Sequence, residues 1–157
     1  MQPRLATQDD LPAVERVVQA AYAPYVSRIG REPGPMLDDY AALIAGGRVH
    51  VVVHDDVVKA ILVLIPQVHT MLLDNVAVTP EAQGLGLGRT LLAFAEHAAV
   101  TAGYRSIELY TNEAMTENIA LYTRIGYVET HRAVEKGLRR VYMTKPLGVN
   151  DVNSTKL

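Results

Sequence analysis

The run from Val76 to Leu92, V-A-V-T-P-E-A-Q-G-L-G-L-G-R-T-L-L, passes from an apolar, strand-like stretch through alternating glycines into a helical pattern. Gly84, Gly86 and Gly88 carry no side chain to block their faces, so the backbone N–H groups of Leu85 to Gly88 can converge on an anion. Leu87, Leu91, Phe94, Ala95 and Ala98 recur at helical spacing, which puts a helix N-terminus and the positive end of its dipole under the same anion. A pyrophosphate suits such a cradle. A Walker loop does not fit, because it closes on Gly-Lys-Ser/Thr and here Gly88 is followed by Arg89 and Thr90. The dinucleotide fingerprint G-x-G-x-x-G fails too, since this loop is G-x-G-x-G and lies mid-chain instead of in an opening βαβ unit. A glycine-rich turn of purely structural use is the competing reading.

At 157 residues the chain is long enough for one domain with a real core and too short for two ordinary ones. With 49% hydrophobic and 20% charged residues, neither global disorder nor a coiled coil is suggested. No apolar run is long enough to span a bilayer, and Met1-Gln2-Pro3-Arg4-Leu5 lacks the make-up of a secretory signal, so a cytoplasmic location is expected. The absence of cysteine removes disulfides, thiolate nucleophiles and thiolate metal sites. Its five histidines show no metalloprotease spacing, and no metal is expected; His50 and His54 lie four apart, but in a strand-like run. A net charge of -2 gives no electrostatic case for nucleic acid, and the basic residues near Arg132 to Arg140 read as a solvated hairpin.

Along the chain, Leu5 and Ala6 end a short strand. Thr7-x-x-Asp10 resembles a capping box before a helix with apolar positions Leu11, Val14, Val18, Ala21 and Tyr25, which Pro24 is placed to end or kink. Ser27 to Pro35 is expected to be a loop, Met36 to Ala45 a second short helix, and Gly46-Gly47 its stop. Arg48 to Val53 and Val57 to Gln67 read as a hairpin turning at His54, Asp55 and Asp56. Then follow a strand (His69 to Val78), the glycine-led helix (Gly86 to about Thr101), a strand (Ser106 to Tyr110), a short helix (Glu117 to Arg124) stopped at Gly126, and a hairpin of Tyr127 to Val134 with Leu138 to Lys145. This order describes an α/β (α+β) fold with a mixed sheet and helices on its faces. A single domain is expected over 1–147, with a flexible tail over 148–157.

Gln83-Gly84-Leu85-Gly86-Leu87-Gly88 resembles the Q/R-x-x-G-x-G/A pyrophosphate loop of the GCN5-related N-acetyltransferase superfamily. Asp74-Asn75-Val76-Ala77-Val78-Thr79-Pro80 is similar to that family's central strand and its exit. Asn118-Ile119-Ala120-Leu121-Tyr122-Thr123-Arg124-Ile125-Gly126-Tyr127 resembles its N-x-x-A-x-x-x-Y-x-x-x-G-F/Y pattern from the tyrosine onward, with Asn118 standing four residues before Tyr122 where the pattern has seven. The resemblance covers Leu72 to about Lys145, and the earlier half agrees in its order of elements. It implies the acyl-CoA N-acyltransferase-like fold, a mostly antiparallel mixed sheet with helices on both faces, and acetyl-CoA as co-substrate.

The same resemblance implies roles for individual residues. The pyrophosphate would lie on Gln83, Gly84, Leu85, Gly86, Leu87, Gly88 and Arg89. The pantetheine arm would lie in a gap beside the central strand and pair with the backbone of Val76, Ala77 and Val78, where the N–H near Val76 polarises the thioester carbonyl. Asn118 and Tyr122, four apart on one helix face, would meet the same ligand. Tyr122 would give its proton to the departing thiolate, as a phenol with an ordinary pKa of about 10 can at neutral pH. Glu108 is the first candidate for the base that deprotonates the amine, as some members carry a glutamate there, although the loop that follows is longer here. Asp74 is the second candidate.

Members of the family it resembles choose acceptors with the first two helices and their loop, which here contain Tyr22, Tyr25, Arg28, Arg31, Met36 and Tyr40, and two arginines there can clamp a carboxylate. Each of these side chains has a plainer reading as packing or solvated surface. The favoured function is N-acetyl transfer from acetyl-CoA to a small-molecule amine by direct attack in a ternary complex. The alternatives are a non-catalytic acyl-CoA sensor and a nucleotide-binding protein. A homodimer, common among relatives, is open to the chain through a sheet edge or the last hairpin.

Overall fold

The computed structural model describes residues 2–148 and orders them as β1 (Arg4–Leu5), α1 (Leu11–Ile29), α2 (Tyr40–Ala45), β2 (Val49–His54), β3 (Val57–Pro66), β4 (Met71–Val78), α3 (Leu87–Thr101), β5 (Ser106–Asn112), α4 (Thr116–Arg124), β6 (Val128–Glu135) and β7 (Leu138–Pro146). The strands form a seven-stranded mixed sheet in the order β1-β2-β3-β4-β5-β7-β6, with β4 and β5 parallel. The tail expected over 148–157 lies, from residue 149 onward, outside the described residues.

The chain groups into two compact units. The first runs through Leu64 and includes Asp74–Phe94; the second takes Ile65–Leu73 and continues from Ala95. In the first unit β2 and β3 pair antiparallel across a two-residue turn. Asp55 and Asp56 both take positive φ there, 53° and 61°, the geometry that matches the twist of paired strands. Ala60 to Leu64 are buried without a break, so this part of β3 is covered on both faces. The capping box forms at Thr7 and Asp10 ahead of α1, whose buried stripe is Val14, Val17, Val18 and Tyr22.

Pro24 neither ends nor visibly shortens α1. Helix continues through Ser27, Arg28 and Ile29 until Gly30, at φ 90°, whose N–H bonds the Val26 carbonyl. Proline removes one helical hydrogen bond, and the turns on either side carry the helix past it. The expected loop is therefore shorter, and α2 begins only at Tyr40, because Asp39 caps it by accepting from the Ala42 N–H at 3.1 Å.

In the second unit β4 and β5 are registered Met71 to Ile107, Leu72 to Glu108 and Leu73 to Leu109, and β5 pairs antiparallel with β7, Glu108 facing Thr144. β6 and β7 form the closing hairpin. Ile107, Leu109, Val141, Met143 and Tyr127 are almost wholly buried in its core. Lys145 and Glu96, each about a quarter exposed, form a 2.9 Å ion pair beside it.

Candidate active site

β4 alternates strictly. Met71, Leu73, Asn75 and Ala77 are buried, while Leu72, Asp74, Val76 and Val78 are half-buried, so Asp74 shares a face with Val76 and Val78. The Thr79 N–H bonds the Lys59 carbonyl of β3 at 2.9 Å. Peptide groups alternate between the two edges of a strand, so Ala77 turns toward β3 and the N–H and C=O of Val76 and Val78 turn to the opposite edge of β4.

Beyond β4 the chain makes a 3₁₀ turn at Pro80–Ala82 and enters the glycine loop. Gln83 donates from Nε2 to the Val78 carbonyl at 3.4 Å. Gly84 and Gly86 sit at φ 91° and 78°, a region that a side chain disfavours. Gly88 differs. Its φ is ordinary, and a Cβ built there meets nothing within 4 Å, so no packing or backbone requirement of the protein calls for glycine. The first helical hydrogen bond of α3 runs from the Thr90 N–H to the Gly86 carbonyl, at 3.0 Å. The N–H groups of Leu87, Gly88 and Arg89 precede it and have no partner within the helix. Leu87 is buried and anchors the turn, while Gly84, Leu85, Gly86 and Arg89 are exposed. Open glycine faces above a 15-residue helix's N-terminus suit an anion.

Among the acceptor candidates, Tyr22 is buried and donates to Asn75 Oδ1 at 2.5 Å, with the Val76 carbonyl 3.2 Å away. Tyr25 is half-buried near the end of α1, and the Arg28 guanidinium lies 5.1 Å from the centre of its ring. Arg31 is exposed just past the Gly30 cap.

In the second unit, Asn112 accepts from the Ala114 N–H at 2.9 Å and turns the chain into α4, which carries Asn118 and Tyr122 one turn apart. The helix ends in a paired-bond cap: the Tyr127 N–H bonds the Tyr122 carbonyl at 3.0 Å and the Gly126 N–H bonds the Thr123 carbonyl at 3.2 Å. Gly126 takes φ 108° to allow it. The cap folds Tyr127 back so that its ring meets that of Tyr122 edge-on at 5.8 Å. Tyr127 is 1% exposed, and its hydroxyl has no hydrogen-bond partner among the described residues. Burial, with Glu96 and Tyr122 nearby, pushes its pKa upward. Glu108 stands on the half-buried face of β5 with Tyr110. No group of three or more potential metal ligands occurs among the described residues.

The sequence pattern of the Acetyltransferase (GNAT) family matches residues 14–127. The chain belongs to the GNAT acetyltransferase family. Among solved GNAT-type structures, the ribosomal-protein-S18-alanine N-acetyltransferase of Escherichia coli superposes with a TM-score of 0.76 at 21% identity, covering 94% of both chains. The PaiA N-acetyltransferase of Thermoplasma acidophilum, in complex with coenzyme A, gives 0.77 at 16% identity, over 92% of this chain and 98% of that one. These likenesses establish the GNAT fold. A curated relative, the mycothiol acetyltransferase of Arthrobacter sp. (strain FB24), is 40% identical over 52 residues, which span 33% of this chain and 16% of that protein.

Asn75 is the residue that reading the sequence for chemistry passed over. Its signal was present: it occupies the register of β4 otherwise held by Met71, Leu73 and Ala77, where a polar side chain must find buried partners.

Proposed function

We propose that the protein is an N-acetyltransferase that moves the acetyl group of acetyl-CoA to the primary amine of a small molecule, by direct attack in a ternary complex. The observation that carries this reading is the glycine loop, whose open faces and helix-end N–H groups offer a pyrophosphate a ready seat on Gln83, Gly84, Leu85, Gly86, Leu87, Gly88 and Arg89. In this reading Val76, Ala77 and Val78 offer backbone to the pantetheine arm, and the outward N–H of Val76 bonds the thioester oxygen as charge develops on it. Such a donor contributes about 3 kcal/mol to transition-state stabilisation. Asn118 holds the ligand from α4.

The amine lone pair attacks the carbonyl carbon, a C–N bond forms and the C–S bond breaks. Tyr122 supplies a proton to the departing thiolate, and Glu108, or Asp74 in its place, takes the proton lost by the amine. The chain has no cysteine to serve as an acyl carrier, which favours direct transfer. Tyr25, Arg28 and Arg31 form the acceptor-facing group, and a carboxylate on the amine substrate is their natural partner. Tyr22 belongs with them in the chain but directs its hydroxyl inward. A cytoplasmic setting and a homodimer through the exposed edge strand β6 complete the proposal; sedimentation velocity tests the dimer.

The test is amine-dependent release of CoA, read with a thiol reagent against which the protein itself is silent. Turnover with amines that bear a carboxylate is expected. Acetyl-CoA binding without release across a broad amine set would instead identify an acyl-CoA sensor.

A further inference from the structure

Two phenols converge on Asn75, which is 3% exposed. Tyr22 donates to its Oδ1 at 2.5 Å, its Nδ2 donates to Tyr40 Oη at 2.9 Å, and Tyr40 donates to the Pro35 carbonyl at 2.5 Å. The direction of this chain is fixed by its end. A carbonyl only accepts, so the single Tyr40 proton is used on Pro35; Tyr40 must then accept from the amide nitrogen, and the amide oxygen is left for Tyr22. Tyr22 Oη also lies 3.2 Å from the Val76 carbonyl, which belongs to the outward-turned edge of β4. One buried hydroxyl thus touches both the side chain of residue 75 and the backbone of residue 76.

We propose that Tyr22 and Asn75 are positioning residues for acyl transfer, holding the Val76 peptide of β4 in the orientation that the thioester needs. The proposal rests on the acetyltransferase reading of β4. Phenylalanine at 22 fills the same space but leaves Asn75 Oδ1 without its donor and the Val76 carbonyl without its hydroxyl neighbour, and a buried acceptor so stripped moves to find another. The Val76 carbonyl lies in the Val76–Ala77 peptide plane and the Val76 N–H in the adjoining Asn75–Val76 plane, so a rotation at the first, or a shift of the Asn75 side chain at the second, re-aims the strand edge that carries both groups. A shift of about 1 Å in a reacting group can reduce rate about 100-fold. Tyr40 lies one step further off and ties Asn75 to the Pro35 loop, so it acts on this edge only at second hand.

The experiment compares wild type, Tyr22→Phe, Asn75→Leu and Tyr40→Phe by kcat, by calorimetric affinity for coenzyme A, and by the NMR shifts of the Val76 carbonyl carbon and Ala77 amide nitrogen in ligand-free protein. Tyr22→Phe is expected to lower kcat about tenfold with the coenzyme A Kd within about twofold, and to move both shifts. Tyr40→Phe is expected to lower kcat less than about threefold. If Asn75→Leu does not fold, the two tyrosine variants decide. Unmoved shifts, an unchanged kcat in Tyr22→Phe, or equal losses in both tyrosine variants tracking their thermal stability would overturn the positioning role. A folded wild type that neither binds nor turns over acetyl-CoA overturns the transferase reading and this role with it, whereas an active wild type with an unaffected Tyr22→Phe removes this role alone.

Discussion

Asp10 accepts two hydrogen bonds from the Arg4 guanidinium, at 2.8 and 3.1 Å, and one from the Thr7 N–H at 2.8 Å. The Arg4 contacts, helped by Thr7 and opposed by burial, hold its carboxyl at about 2. Unfolded, the same group titrates near 4, so the unfolded chain binds the proton first as pH falls. The stabilisation is complete above about pH 4 and lost as pH falls toward about 2. Acid unfolding of Asp10→Asn should therefore show lower stability at neutral pH and a shallower loss across that window; an unchanged profile would show that the contact contributes nothing. For Tyr122, replacement by phenylalanine should lower kcat about 100-fold, within the range of a general acid, with coenzyme A affinity unchanged by calorimetry. Equal loss of affinity would make Tyr122 a binding residue instead. The placement of a residue was legible where a motif fixed it, as with Tyr122 and Gly126 at the end of α4. It was hidden where a partner came from far along the chain: Asn75 meets Tyr22 and Tyr40 only because the sheet brings α1 and α2 to β4 within the first unit.

Among the elements, α4 shows why the spacing from Asn118 to Tyr127 matters. Tyr122, Gly126 and Tyr127 are the participants of one helix cap, so the pattern encodes a rigid end that presses one ring against the other. Alanine at Gly126 would need a left-handed backbone and would bring its Cβ to 3.1 Å from Lys145 Cε. It should cost about 1–3 kcal/mol in a denaturant titration and lower kcat through Tyr122, while wild-type stability in that variant would contradict the cap's importance. Strand and hairpin limits were readable to within a few residues because β-branched runs and turn residues mark them locally, as at Val57 and Leu138. The far end of α1 was not, since Pro24 advertises a break that Gly30 makes six residues later.

At the scale of the whole chain, composition and charge narrowed the classes, and the seven-stranded order together with the family match over residues 14–127 placed the protein among the GNAT acetyltransferases. Acceptor identity was the least legible feature, because it depends on exposed side chains such as Arg28 and Arg31, whose spacing follows no fixed pattern. The central claim, that the Gln83 to Gly88 loop seats acetyl-CoA, depends on a feature with no other explanation in the fold: glycine at 88. Leucine is a better helix former and its Cβ meets nothing within 4 Å there, so Gly88→Leu should fold as stably as the wild type or slightly more so, yet close the cradle. Calorimetric titration of both proteins with acetyl-CoA is the most direct test. Micromolar binding by the wild type, weakened at least about tenfold in an equally stable Gly88→Leu, is the expected result. No binding by the folded wild type, or equal binding by both, would contradict it.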